Sequence, residues 1–110
     1  MIFIAVKFTV RAERAEEWLT LVDDFTRATR AEPGNLFFEW SRSVDDPNQF
    51  VLLEGFESAQ AGEEHVNSAH FAAAMTWMPD VIAKTPEIIN VETSGNGWSE
   101  MAELTPTGER

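Results

Sequence analysis

Ile2, Ile4, Val6, Phe8 and Val10 alternate with Phe3, Ala5, Lys7 and Thr9, a period of two that predicts a β-strand with one strongly apolar face. From about Ala12 the period lengthens. Trp18, Leu21, Val22, Phe25 and Ala28 fall at the three-and-four spacing of one helical face. Glu13, Glu16 and Glu17 near the start of this helix, and Arg27 and Arg30 near its end, suit the helix dipole, and Pro33-Gly34 ends it. Residues 36–44 and 49–57 are rich in aromatic and branched side chains and are joined by Asp45-Asp46-Pro47-Asn48, which predicts a hairpin. Ser58 is placed to cap a second helix that carries Ala59, Gly62, His65 and Val66 toward the sheet. Asn67-Ser68 breaks that helix, and Ser68 recaps a further segment holding Phe71, Ala74, Met75 and Met78, with Pro79 as a stop or kink. Pro86 opens a last strand over residues 87–93.

Strand, helix, strand, strand, helix, strand is the split βαβ order of an α+β, ferredoxin-like domain, an antiparallel sheet with helices on one face. The expected domain covers residues 1–94. Residues 95–110 form an extension in which Trp98, Met101 and Leu104 recur every three positions, expected to dock on the domain or on a partner, with residues 105–110 frayed. Both faces of the strands carry apolar side chains, so the face without helices predicts an interface, and the symmetric homodimer is the commonest closed assembly.

At 110 residues the chain suits one domain. Its net charge of −11 argues against nucleic acid and against anionic membrane surfaces as partners. Without cysteine there are no disulfides, thiolate metal sites or thiol nucleophiles. Lys7 interrupts the apolar start, so neither a signal peptide nor a membrane span is read there, and the cytoplasm is the expected compartment. Between Ser43 and Ala83 there are seven acidic residues and no Lys or Arg, which favours a neutral ligand over an anionic one.

The chemistry centres on the two histidines, His65 and His70. On one continuous helix five positions set them about 140° apart, off any shared face. No third ligand is evident, so no metal site is expected. Each is a candidate proton acceptor or donor. If the hairpin closes symmetrically, Glu39 stands opposite Glu54 among Phe37, Leu52 and Phe56, and two facing carboxylates make a candidate acid/base pair. Of the four tryptophans, Trp77 has the best claim to a pocket rim.

The run Glu32-Pro33-Gly34-Asn35-Leu36-Phe37-Phe38-Glu39, the D-D-P hairpin leading into Phe50-Val51-Leu52-Leu53-Glu54-Gly55-Phe56, and His65-Val66-Asn67-Ser68-Ala69-His70-Phe71 together resemble the antibiotic-biosynthesis-monooxygenase (ABM) family, over about residues 1–93. The resemblance implies a homodimer of the dimeric α/β-barrel type with a pocket in each subunit. It also implies a cofactor-free oxidation of a quinol or phenolic aromatic by molecular oxygen. In that reading His65 or His70 is the base, Glu54 orients it or takes the proton, and Asn67 donates a hydrogen bond. Glu39, Arg42, Phe56, Phe71 and Trp77 would contact the substrate. Polyketide-oxidising relatives use a Tyr, which this chain lacks. Aligned on Ser68 and Phe71, the residues that haem-degrading relatives need are replaced by Lys7, His65 and Met75. Two other readings compete: an isomerase or tautomerase of a small oxo acid leaning on Arg42 or Lys7, and a non-catalytic ligand-binding dimer.

Overall fold

The computed structural model describes residues 1–108. β1 (Ile2–Thr9) pairs antiparallel with β3 (Gln49–Phe56) on one side and with β4 (Glu87–Glu92) on the other, while β2 (Asn35–Arg42) pairs outside β3. The sheet order β2-β3-β1-β4 with helices on one face is the ferredoxin-like arrangement that the order of elements predicted.

The first helical stretch is segmented rather than continuous. A 3₁₀ turn at Ala12–Glu17 runs into α1 (Trp18–Leu21), and Val22, at φ −87° and ψ 3°, separates it from α2 (Asp23–Arg30). No side chain caps the N-terminus at Arg11. The predicted stripe is nonetheless the one buried, with Trp18, Val22 and Phe25 in the core. Thr26 and Thr29 are buried as well. Their hydroxyls donate to the carbonyls of Val22 (2.7 Å) and Phe25 (2.9 Å), which removes the cost of burying them.

Ser58 caps α3 (Ala59–Val66) by accepting from the Ala61 amide, and Ser68 caps α4 (Ala69–Trp77) by accepting from the Phe71 amide. The inward residues of α3 are Ala61 and His65, whereas Ala59 and Val66 are exposed; the expected face is rotated by that much. Pro79 sits in a closing 3₁₀ turn, Met78–Asp80. An aromatic cluster around Trp18 fills the centre, with Phe8 at 5.4 Å and Trp40 and Trp77 each at 5.7 Å between ring centroids.

The hairpin register differs by one from the symmetric closure. Ser43 donates its amide to the Gln49 carbonyl, and its hydroxyl accepts from the amides of Asp45 and Asp46. Val44 is thereby drawn into the loop, where it is fully exposed. Glu54 consequently faces Phe38 and Glu39 faces Leu53. A one-residue slip reverses faces: Glu39 lies on the outer face with Phe37, and Glu54 on the helical face with Leu52 and Phe56. The Glu39–Glu54 pair does not exist.

Phe3, Phe37, Leu53, Ile89 and Val91 share that outer face. In the extension the Trp98 ring lies 5.6 Å from Phe37 but is itself exposed, as are Met101 and Leu104. Residues 105–108 have no regular secondary structure, and the expectation for residues 109–110 lies outside the described residues. Among the described residues no helix is long and apolar enough to cross a membrane.

Candidate functional site

Between the helical face of the sheet and α4 lies an apolar cavity of about 330 Å³. Ile4, Val6 and Leu52 form its floor; Phe25, Phe71 and Met78 wall it. Its polar lining is Glu54, His65 and Asn90. Strand pairing explains two of these. Ile4 stands in register with Glu54 on one side and with Asn90 on the other, so all three project to the same face. Burial pushes the Glu54 carboxyl up to about 7, and the negative charge of Glu32 pushes in the same direction. Near neutral pH this side chain therefore exists as a mixture of acid and carboxylate.

His65 occupies the last turn of α3 and is 3% exposed, with the rings of Phe56 at 4.9 Å and Phe71 at 5.3 Å. Its Nδ1 lies 2.8 Å from Oε2 of Glu32. An ionised carboxylate can only accept, so a neutral ring that donates to it from Nδ1 has its lone pair on Nε2. Nε2 is 3.7 Å from Oε1 of Glu54, beyond hydrogen-bond distance. A hydroxyl group arriving in the cavity can touch both atoms.

His70 meets the same carboxylate oxygen, its Nε2 2.5 Å from Oε2 of Glu32. The break between α3 and α4 makes this possible. The Ser68 hydroxyl donates to the His65 carbonyl at 2.6 Å while accepting from the Phe71 amide, so the chain turns between the two histidines. The divergence expected for one helix is abolished, and Glu32 is the third group that the sequence did not reveal. Glu32, His65 and His70 hold three possible ligand atoms within 4.8 Å of one another. Glu32 lies in the turn between α2 and β2, where no periodicity marks it. Asn90 was also missed, although its alternation with Ile88 on one strand face was there to find.

Of the remaining expected site residues, Phe71 alone reaches the cavity. Phe56 is wholly buried behind the His65 ring. Asn67 is exposed at the helix break, because the turn that unites the histidines points it outward. Trp77 packs against Trp18 and borders a separate hollow beside Arg14 and Asp80. Arg42 pairs with Glu16 at 2.6 Å, donates to the Pro47 carbonyl and lies over the Phe50 ring, at the far end of β2. Glu39 is on the opposite face of the sheet. Among the described residues no Lys or Arg lines the cavity.

The fold and the cavity together define a class, a ferredoxin-like α+β domain with a ligand-sized apolar pocket served by an imidazole and a carboxyl group. The chain belongs to the antibiotic biosynthesis monooxygenase family, ABM, whose pattern matches residues 1–77. It is 27% identical over 94 residues to YcnE of Bacillus subtilis (strain 168), a candidate monooxygenase, covering 86% of this chain and 99% of that protein. In fold it is similar to a candidate antibiotic biosynthesis monooxygenase from Nitrosomonas europaea (TM-score 0.80, 23% identity, 86% of this chain and 100% of that one). Rv0793 from Mycobacterium tuberculosis is likewise similar (TM-score 0.79, 21% identity, 88% and 98%).

Proposed function

We propose that this protein is a cofactor-independent monooxygenase, acting in the cytoplasm as a homodimer, that oxidises a quinol or phenolic aromatic with molecular oxygen. One observation carries the reading: an apolar cavity lined by an imidazole whose Nδ1 is held by Glu32 and whose Nε2 is turned toward Glu54. At about 330 Å³ it lies at the small end of ligand pockets, which suits one ring or a fused pair.

His65 Nε2 takes the phenolic proton, and the Glu32 carboxylate at Nδ1 stabilises the imidazolium that forms, the role a buried carboxylate plays behind a catalytic histidine. The resulting phenolate is electron-rich enough to pass an electron to oxygen. Recombination forms a carbon–oxygen bond, and loss of water completes the reaction: quinol plus O₂ gives hydroxyquinone plus H₂O, the substrate supplying every electron. Glu54, titrating near neutrality, relays the proton to the departing water. Apolar walls keep bulk water from the reactive phenolate. The oxo-acid isomerase reading loses its support, because Arg42 and Lys7 both stand outside the cavity.

The dimer is supported by the outer face, where Phe3, Phe37, Leu53, Ile89 and Val91 form one apolar surface. The enzymatic reading is tested by oxygen uptake over a panel of quinols, with chelator present and no flavin, using ¹⁸O₂. One labelled atom is expected in the product and one in water. Uptake equal to the protein-free rate across the panel removes the proposal.

A further inference from the structure

We infer that Glu32, His65 and His70 form a binding site for a divalent late first-row metal ion, best suited to Zn²⁺, and that an ion held there inhibits turnover by occupying His65 Nδ1. The donor set is two imidazole nitrogens and one carboxylate oxygen, a composition that such ions favour. Three donors from separate parts of the chain, the α2–β2 turn, α3 and α4, converge within 4.8 Å. Zinc bonds of about 2.0–2.2 Å place tetrahedral donors roughly 3.4 Å apart. Glu32 Oε2, now 2.8 Å and 2.5 Å from the two nitrogens, has to swing back by about half to one ångström to admit the ion, leaving the fourth position to water.

Two further features point the same way. Metal-bound histidines characteristically donate their other ring N–H to a carboxylate, and Glu54 Oε1 faces His65 Nε2 at 3.7 Å. Access is present too, since the His70 side chain is 23% exposed whereas that of His65 is 4% exposed. The chain's negative charge raises the local concentration of cations.

The consequence for chemistry follows from the ring. A neutral imidazole has one hydrogen. With metal on Nδ1, that hydrogen moves to Nε2, which then donates toward Glu54 and no longer accepts a proton. Inhibition thus rests on the proposed monooxygenase reading, while binding does not.

The test titrates the full-length chain with Zn²⁺ by calorimetry and with Co²⁺ by visible absorption. The expected result is saturable 1:1 binding with the intense bands of tetrahedral cobalt. Loss of even an outer partner weakens metal sites about 10–100-fold. His70→Ala and Glu32→Gln, each checked for folding by circular dichroism, should therefore weaken binding by about 100-fold or more, and Glu54→Gln by about 10-fold. Non-saturable binding, or binding unchanged in His70→Ala and Glu32→Gln, identifies surface carboxylates as the ligands and overturns the site. With a quinol substrate in hand, oxidation should fall in step with Zn²⁺ occupancy and return on chelation. Full turnover at full occupancy overturns the inhibition while leaving the site standing.

Discussion

A Cβ on Gly34 would lie 2.4 Å from the Cβ of Ala61. The turn that presents Glu32 is thus pressed directly onto the helix that presents His65, and the glycine at this point is required by close approach. Its carbonyl also accepts the Glu57 amide at 2.9 Å, tying the turn to the end of β3. Gly34→Ala should destabilise the fold by about 1–3 kcal/mol through overpacking. Adding Ala61→Gly should recover part of that loss, a non-additivity readable from urea denaturation of the four-member cycle. Additive losses would show that the two residues do not press on one another.

The Glu54 carboxyl predicts an unusual pH dependence of stability. Its folded value of about 7 exceeds the ordinary 4.5, so between those values the folded chain binds more protons than the unfolded one. Stability is then fully present below about pH 4.5 for this group and declines as pH rises toward 7. The rise from 4.5 to about 7 corresponds to a loss on the order of 3 kcal/mol. Glu54→Gln, which cannot ionise, should flatten the profile over that window in denaturation midpoints. An identical slope in wild type and variant would place the titration elsewhere.

Removing the proposed base should strike turnover rather than binding. His65→Gln is expected to lower kcat by about 10²–10⁴-fold, the usual worth of a positioned general base, with KM little changed. Glu32→Gln keeps the hydrogen-bonding shape but not the charge, and should lower kcat by up to about 10⁴-fold, the cost of removing the carboxylate behind a catalytic histidine. Arg42→Ala, whose side chain lies outside the cavity, should leave kcat/KM unchanged. A large rise in KM for Arg42→Ala would restore the anionic-substrate reading.

The proposed self-association through the outer face can be tested without touching the cavity. Leu53→Asp introduces a charge among Phe3, Phe37 and Ile89 on the side of the sheet away from the helices. Sedimentation velocity should show a dimer for the wild type and a monomer for the variant. A monomeric wild type at micromolar concentration would sink the assembly.

Periodicity carried the fold because it records burial directly: the alternation in β1 and the stripe from Trp18 to Phe25 are imprints of the core they build. The two serine caps were equally readable, since a hydroxyl before a helical run has a local purpose. What stayed hidden depends on the angle between elements. Glu32 sits in a turn 33 residues before His65, and only packing at Gly34 brings them together. The hairpin register turned on one hydroxyl, that of Ser43, which lengthened the loop and sent Glu39 and Glu54 to opposite faces. Arg42 and Asn67 belonged to the right segments, but side-chain direction excluded both from the cavity. His65 and Glu54 stand out in the sequence as polar groups among apolar neighbours, and both are buried at the cavity, although the pairing with Glu39 that singled out Glu54 does not exist.

The Ser68 hydroxyl bonds backward to the last turn of α3 and forward to the first turn of α4. Mechanically it is a rivet at a vertex. The distance between the two imidazoles is set by the angle there, so a rotation of α4 opens or closes the grip on the Glu32 oxygen like a pair of callipers. Because α4 also supplies Phe71 and Met75 to the cavity wall, the width of the cavity and the span between the histidines are two readings of a single angle.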